Sequence, residues 1–249
     1  MPKTRLDLLL VARGLAPSRE RARALILAGD VRVDGMMVSK AGAAADDAAE
    51  IALRQPDHPW ASRGGLKLAH ALDVFGIDVA GAAALDLGAS TGGFTDVLLA
   101  RGAAHVVAVD VGQGQLDWRL RTDPRVLCLD HVNARYLTPE RLPADHRRFD
   151  IVTIDVSFIS LSHILPVVPP LLADRGRVVA LVKPQFEAGR GEVGRGGIVR
   201  DPEVHARTIR DVAAAAHRVG LSDLAVEPSP VTGAQGNREF LMLLAATAQ

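Results

Sequence analysis

Lysine is scarce in this chain, and its placement is informative. Of 29 basic residues only Lys3, Lys40, Lys67 and Lys183 are lysines, and the other 25 are arginines. Arginine stays protonated in proteins, whereas a lysine beside a second cation is acidified and can move a proton. Lys183 closes the apolar run Leu181-Val182-Lys183-Pro184-Gln185-Phe186, and Asp155 closes Thr153-Ile154-Asp155-Val156-Ser157-Phe158. If both runs are neighbouring strands of an open α/β sheet, their carboxyl ends share one ligand crevice. Lys67 lies in Ser62-Arg63-Gly64-Gly65-Leu66-Lys67-Leu68, and Glu239 in Gly236-Asn237-Arg238-Glu239-Phe240. A sugar hydroxyl is a poor nucleophile near neutral pH, and its proton must leave as an alkyl group arrives. These residue types suit that chemistry, with Lys183 as base or alkoxide stabiliser, Asp155 and Lys67 orienting, and Glu239 completing the hydrogen-bond network. A single lysine or glutamate is ordinarily a solvated surface charge. Two of four lysines at such positions weaken that alternative.

A second group of residues reads as a nucleotide-type cleft. The run Leu85-Asp86-Leu87 passes into Gly88-Ala89-Ser90-Thr91-Gly92-Gly93-Phe94, a strand entering a glycine-rich turn and then a helix. The spacing is not that of a dinucleotide fingerprint, and no Walker lysine follows. Asp86 suits a cationic group such as the amino group of a methionine moiety. Gly88, Gly92 and Gly93 permit close backbone approach, with Ser90, Thr91 and Phe94 beside them. Asp110 ends the next apolar run, where a carboxylate can accept both hydroxyls of a ribose. The two ends together indicate S-adenosylmethionine. His131 and Asn133, beyond the third strand, suit contact with an adenine or an ordinary turn. Cys128 reads as plain core, and no His/Cys/Asp cluster suggests a metal.

The elements that must position these residues follow from periodicity. Apolar runs at 82–87, 105–110, 126–130, 150–155 and 177–182 read as short buried strands separated by helix-length segments. Two further strands are expected at 224–230 and 239–245. This is the βαβ rhythm of a doubly wound, mostly parallel sheet. Before residue 60 the pattern is helix, turn, helix, strand. A first helix stops near Gly14, and Ser18 caps a second that stops at Gly29. Val31-Arg32-Val33 alternates like a strand, with a hairpin turn at Asp34-Gly35. Residues 41–59 lean acidic and end in prolines, Pro56 and Pro59, which suggests a linker. Two domains are expected, residues 1–59 and 60–249. The five-glycine segment 189–197, with Arg190 and Arg195, is a candidate lid.

Composition excludes several classes. The formal charge is zero, so there is no global cationic field, and one cysteine excludes a disulfide framework. Residues 1–40 nevertheless hold eight basic and four acidic residues, a local charge of +4. Arg5, Arg19, Arg21, Arg23 and Arg32 are candidates for a phosphate-binding face, with a merely solvated helix face as the alternative. The N-terminus lacks the apolar core of a signal peptide, and the longest uncharged stretch is broken by Pro166, Pro169 and Pro170. A soluble, cytoplasmic protein without a membrane segment is expected.

The motifs resemble the TlyA (hemolysin A-like) family, in which an S4 domain precedes an FtsJ-like methyltransferase. RLDLLLVARGLAPSRERARALILAGDVRVDG resembles the S4 RNA-binding module. SRGGLKL, DLGASTGGFTDVLL, AVDVGQGQLDWRLR, TIDVSFISL, LVKPQFEAGRGEVGRGGIVRD and GNREFL resemble the family's successive methyltransferase motifs. The resemblance implies a Rossmann-like fold of seven strands with helices on both faces and a small α+β N-terminal domain. It also implies a Lys67-Asp155-Lys183-Glu239 tetrad and 2′-O-methylation of cytidine in ribosomal RNA. Two departures stand out. His58-Pro59-Trp60-Ala61 stands where the family carries Arg-Ala-Trp-Val, and the short C-terminal tail resembles the subgroup that modifies 23S RNA alone. The 50S subunit is therefore the favoured substrate, with 16S RNA as the second option. Competing readings are a non-catalytic RNA-binding or ribosome-assembly factor and a membrane-active hemolysin.

Overall fold

The computed structural model describes residues 3–16, 18–27, 29–40, 42–53, 58–189, 191–233 and 236–247. The chain divides into two compact units, Met1–Pro59 and Trp60–Gln249.

The first unit contains β1 (Lys3–Arg5), α1 (Leu6–Ala12), α2 (Arg19–Leu27), β2 (Val31–Val33), β3 (Met36–Met37), β4 (Ala44–Asp46) and β5 (Ile51–Leu53). Leu6, Leu9 and Leu10 of α1 pack on Leu25 and Ile26 of α2, with Val31 closing the core. The Ser18 hydroxyl accepts from the Arg21 amide at 3.1 Å and caps α2. Asp34 and Gly35 both take positive φ, as a two-residue turn between β2 and β3 requires. The segment expected as an acidic linker is partly structured: β4 pairs with β1, and β5 pairs with β2. These strands have three residues each, too few for an alternating pattern to stand out. Pro56 lies outside the described residues.

The second unit contains α3 (Gly64–Val74), β6 (Ala83–Leu87), α4 (Gly93–Ala100), β7 (His105–Val109), α5 (Trp118–Arg121), β8 (Val126–Leu129), β9 (Phe149–Ile154), β10 (Leu172–Val182), α6 (Pro184–Glu187), α7 (Pro202–Arg218), β11 (Leu221–Pro228) and β12 (Phe240–Ala246). Seven strands form one sheet in the order β11-β12-β10-β9-β6-β7-β8. Strands β6 to β10 are parallel, and β12 runs antiparallel between β10 and β11. This is a Rossmann-like methyltransferase fold.

Alternation along the strands divides the interior in two. Leu85, Leu87, Val107, Val109, Val152 and Ile154 face one core, which α7 completes with Val212, Ala215 and Ala216. Ala84, Val106, Ala108, Ile151, Val179 and Leu181 face the other, covered by α3 and α4. The expectation of a helix in each gap is corrected. Between β8 and β9, and between β9 and β10, the described residues form only short 3-10 turns. Pro139, Pro166, Pro169 and Pro170 lack the N–H that a continuous helix needs. No helix among the described residues is long and apolar enough to cross a membrane, and no group of three or more metal-ligating side chains is found among them.

Candidate active site and cofactor cleft

The parallel strands aim their carboxyl ends at one edge of the sheet. β12 is antiparallel, so its first residues reach the same edge. The sheet therefore delivers Asp155 just after β9, Lys183 just after β10 and Glu239 just before β12, while α3 carries Lys67 alongside. Lys183 Nζ lies 2.6 Å from Asp155 Oδ1 and donates to Ser157 Oγ at 3.0 Å. Lys67 Nζ donates to Glu239 Oε2 at 2.6 Å. The Gln185 side-chain amide donates to the other Glu239 oxygen at 3.1 Å. Lys67, Lys183 and Glu239 are buried, and all four predicted residues line one cavity of about 490 Å³.

A second cavity, of about 350 Å³, adjoins the first, and Gly88, Ser90, Asp155, Ser157 and Phe158 line both. Its far end holds Asp110 and Asn133 between the apolar side chains Val109, Val111, Val132 and Ile164. Asp110 accepts from the Ser90 amide (2.8 Å) and the Gly112 amide (2.7 Å), one bond to each oxygen. Each carboxylate oxygen retains acceptor capacity for a ribose hydroxyl. Asn133 caps the turn that follows it through Oδ1, so its amide nitrogen remains to donate. It is both the turn residue and a lining residue. An apolar slot with a few placed polar groups fits an adenosine moiety.

The remaining predicted loop residues separate into lining and support. Thr91, Gly93 and Phe94 line the first cavity. Asp86 and Gly92 line neither. Asp86 is sealed beneath the loop, where Thr95 Oγ1 (2.7 Å) and Thr153 Oγ1 (2.9 Å) donate to it. Burial pushes its pKa up to about 6 against the opposing pull of those hydroxyls. It fastens β6 to β9 and α4 and does not face a cationic ligand group. Gly92 begins α4 at φ 95°, packed under Leu116 and Leu120. Gly88, at φ 87°, lets β6 approach β9 so closely that a Cβ would sit 2.6 Å from the Asp155 carbonyl oxygen.

Several lining residues carry no signal in composition or spacing. Phe158 is 92% exposed at φ 63°, tilted against Phe186 with ring centroids 5.1 Å apart. Ser90 and His131 also take positive φ. Backbone strain in non-glycine residues thus collects where the strands end, as it does at ligand sites. The one available clue is an aromatic residue three positions beyond a strand-end carboxylate. Cys128 is half-buried and donates to Asp130, consistent with an inert thiol.

The candidate lid is tied down. Glu192 pairs with Arg207 of α7, which holds its pKa at about 2, and Asn237 bridges Gly197 and Val199. Arg190 lies outside the described residues.

In the first unit a buried carboxylate organises two of the predicted arginines. Asp7 is fully buried, and Arg5 and Arg19 both donate to it at 2.9 Å while remaining about half exposed. Arg21 reaches the buried His58 at 3.3 Å. Arg23 is exposed, and Arg32 touches the Gly35 carbonyl.

Residues 60–246 match the FtsJ-like methyltransferase family and residues 4–46 match the S4 domain. The chain is 50% identical over 97% of its length to the 16S/23S rRNA (cytidine-2′-O)-methyltransferase TlyA of Mycobacterium tuberculosis, covering 90% of that protein. It is 32% identical over 73% of its length to the 23S rRNA (cytidine-2′-O)-methyltransferase TlyA of Campylobacter jejuni, covering 69% of that protein. A solved structure from Streptococcus thermophilus, provisionally described as a hemolysin, superimposes with a TM-score of 0.78 at 45% identity, over all of this chain and 90% of that one. With an S4 match followed by an FtsJ-like match across nearly its whole length, the chain belongs to the TlyA family of S4-domain methyltransferases.

Proposed function

We propose that the protein transfers a methyl group from S-adenosylmethionine to the 2′-hydroxyl of a cytidine in ribosomal RNA, with 23S RNA as the substrate. The observation that carries this reading is the meeting of Lys67, Asp155, Lys183 and Glu239 in one cavity that adjoins the Asp110 and Asn133 cleft. The nucleobase and the RNA come from the relatives, whose names share 23S rRNA and cytidine-2′-O chemistry.

The cofactor supplies an electrophilic methyl group on a sulfonium. Asp110 and Asn133 hold its adenosine, and the backbone of Gly88, Ser90 and Gly93 makes room for the rest. Lys183 has three N–H donors, of which Asp155 and Ser157 engage two. The third is available to the ribose oxygen, where it steadies the developing alkoxide; to receive the departing proton instead, Lys183 would have to enter as the neutral amine, with two N–H donors and a lone pair turned to the hydroxyl. Asp155 fixes the rotamer of Lys183, and Glu239 does the same for Lys67. Both ammonium groups enter the reaction already oriented, so little ordering remains to be done. The exposed arginines of the first unit supply sequence-independent grip on phosphates.

The test is transfer of tritiated methyl from S-adenosylmethionine to purified 50S and 30S subunits. Label is expected at a cytidine 2′-oxygen of the large subunit, with Lys183→Ala slowed at least about 100-fold. Label confined to the 30S subunit would overturn the choice of 23S RNA. Cofactor binding without transfer to either subunit would replace the enzyme reading with that of an assembly factor.

A further inference from the structure

The cavity that holds the tetrad contains a third cation. Lys67 and Lys183 each face a carboxylate at 2.6 Å. Arg63 lines the same cavity, and its Nη1 is buried without a hydrogen-bond partner among the described residues. Its backbone is fixed as the residue that opens α3, one turn before Lys67. A buried guanidinium donor left without a partner is costly, and each such group in a folded protein calls for an explanation. Arg63 is half-buried and lines the cavity while the unpaired Nη1 is turned inward, so a rotation of the guanidinium is what would bring that donor to an anion carried by a ligand.

The proposed reactants bring two oxyanions, the carboxylate of the methionine moiety and the phosphodiesters that flank the target ribose. The carboxylate has other candidate donors, the backbone N–H groups of Gly93 and Phe94 at the start of α4, two residues that line this same cavity. Covalent structure favours the phosphodiester for Arg63. The 2′-oxygen and the 3′-phosphodiester sit on adjacent carbons, so a ribose presented to Lys183 carries its 3′-phosphate into the same cavity. The planar guanidinium fork matches two phosphate oxygens.

We propose that Arg63 binds the phosphodiester on the 3′ side of the methylated ribose. The site then reads a ribose within a polynucleotide and not a free nucleoside. This rests on the ribose-methylation reading, but it can be tested without turnover. The full-length protein, loaded with S-adenosylhomocysteine, is titrated with cytidine, cytidine 3′-monophosphate and cytidine 5′-monophosphate, and binding is followed by ligand-observed NMR. The 3′-monophosphate is expected to bind about tenfold more tightly than cytidine, one charge-assisted hydrogen bond's worth. The 5′-monophosphate is expected to bind like cytidine. Arg63→Gln is expected to abolish the 3′ preference and Arg63→Lys to restore part of it, with cofactor affinity unchanged within about twofold. The proposal is overturned if wild type shows no 3′ preference, if Arg63→Gln retains it, or if Arg63→Gln weakens S-adenosylmethionine binding tenfold. That last result would assign the guanidinium to the cofactor carboxylate. Failure of wild type to methylate either subunit, by contrast, removes the parent reading and leaves the titration to judge Arg63 as a phosphate site.

Discussion

Among individual residues, Gly233 and Asp86 show how much of the site rests on groups that do no chemistry. Gly233 lies against Glu239 so closely that a Cβ would fall on the glutamate's carboxylate. Its own backbone conformation is unremarkable for an L-residue, so Gly233→Ala is expected to leave the fold intact. It pushes Glu239 off Lys67, and methyl transfer to 50S subunits should fall on the order of 100-fold with an unchanged circular dichroism spectrum. Asp86 makes the opposite kind of prediction. Its folded pKa is about 6 against an ordinary 3.8, because burial disfavours the charged form. A carboxyl group with a raised folded pKa stabilises the protein when protonated, and that advantage is lost as pH rises from 3.8 towards 6. Asp86→Asn should therefore flatten the stability profile across that window, and gain on the order of 3 kcal/mol at pH 7 if both threonine hydroxyls re-pair. Thermal denaturation at a series of pH values measures this. An unchanged slope would show that Asp86 is not the group that titrates.

The elements differ in how openly the sequence declares them. The last four residues of β7 and β9 and the last five of β10 are buried on both faces, so they appear as largely apolar runs, and each is followed directly by a residue that the site uses. That is why Asp110, Asp155 and Lys183 can be placed from sequence. The pairing of Lys67 with Glu239 joins residues 172 positions apart, a separation that no local period encodes. Residue type makes Glu239 a candidate for the network, but nothing in the sequence pairs it with Lys67 in particular. The 3-10 turns after β9 stay hidden because an apolar, proline-rich stretch declares its burial but not its path. Asp7 escapes notice for a different reason: an acidic residue among arginines resembles a solvated charge, and only burial reveals it as their anchor. Asp7→Asn raises the net charge by one, which by charge counting alone should strengthen RNA binding. The geometry argues the reverse, since Arg5 and Arg19 lose the group that sets their direction. Weaker binding to 50S subunits is expected in filter assays. A loss on the order of 1 kcal/mol in urea stability should accompany it, small because both arginines are half exposed.

Across the whole chain, zero net charge conceals a division of labour. The excess of +4 lies in the first 40 residues and is balanced by the remainder. RNA affinity should therefore depend on salt through the first unit. The logarithm of the binding constant is expected to fall linearly with the logarithm of salt concentration, and Arg19→Glu with Arg23→Glu should reduce the slope by about 2. Cofactor affinity, set in the second unit, should not follow. An unchanged slope in the double variant would place the RNA grip elsewhere.

The position of β12 carries a consequence for how the enzyme comes into being. β12 leaves the ribosome after every other strand of its sheet, yet it is inserted between β10 and β11. Until it arrives, β11 has no neighbour in the sheet and Lys67 has no Glu239. The residue that completes the tetrad is thus delivered by the strand that closes the sheet. Closure of the sheet and completion of the four-residue cluster therefore arrive together, and a chain cut short before residue 239 leaves Lys67 without its carboxylate.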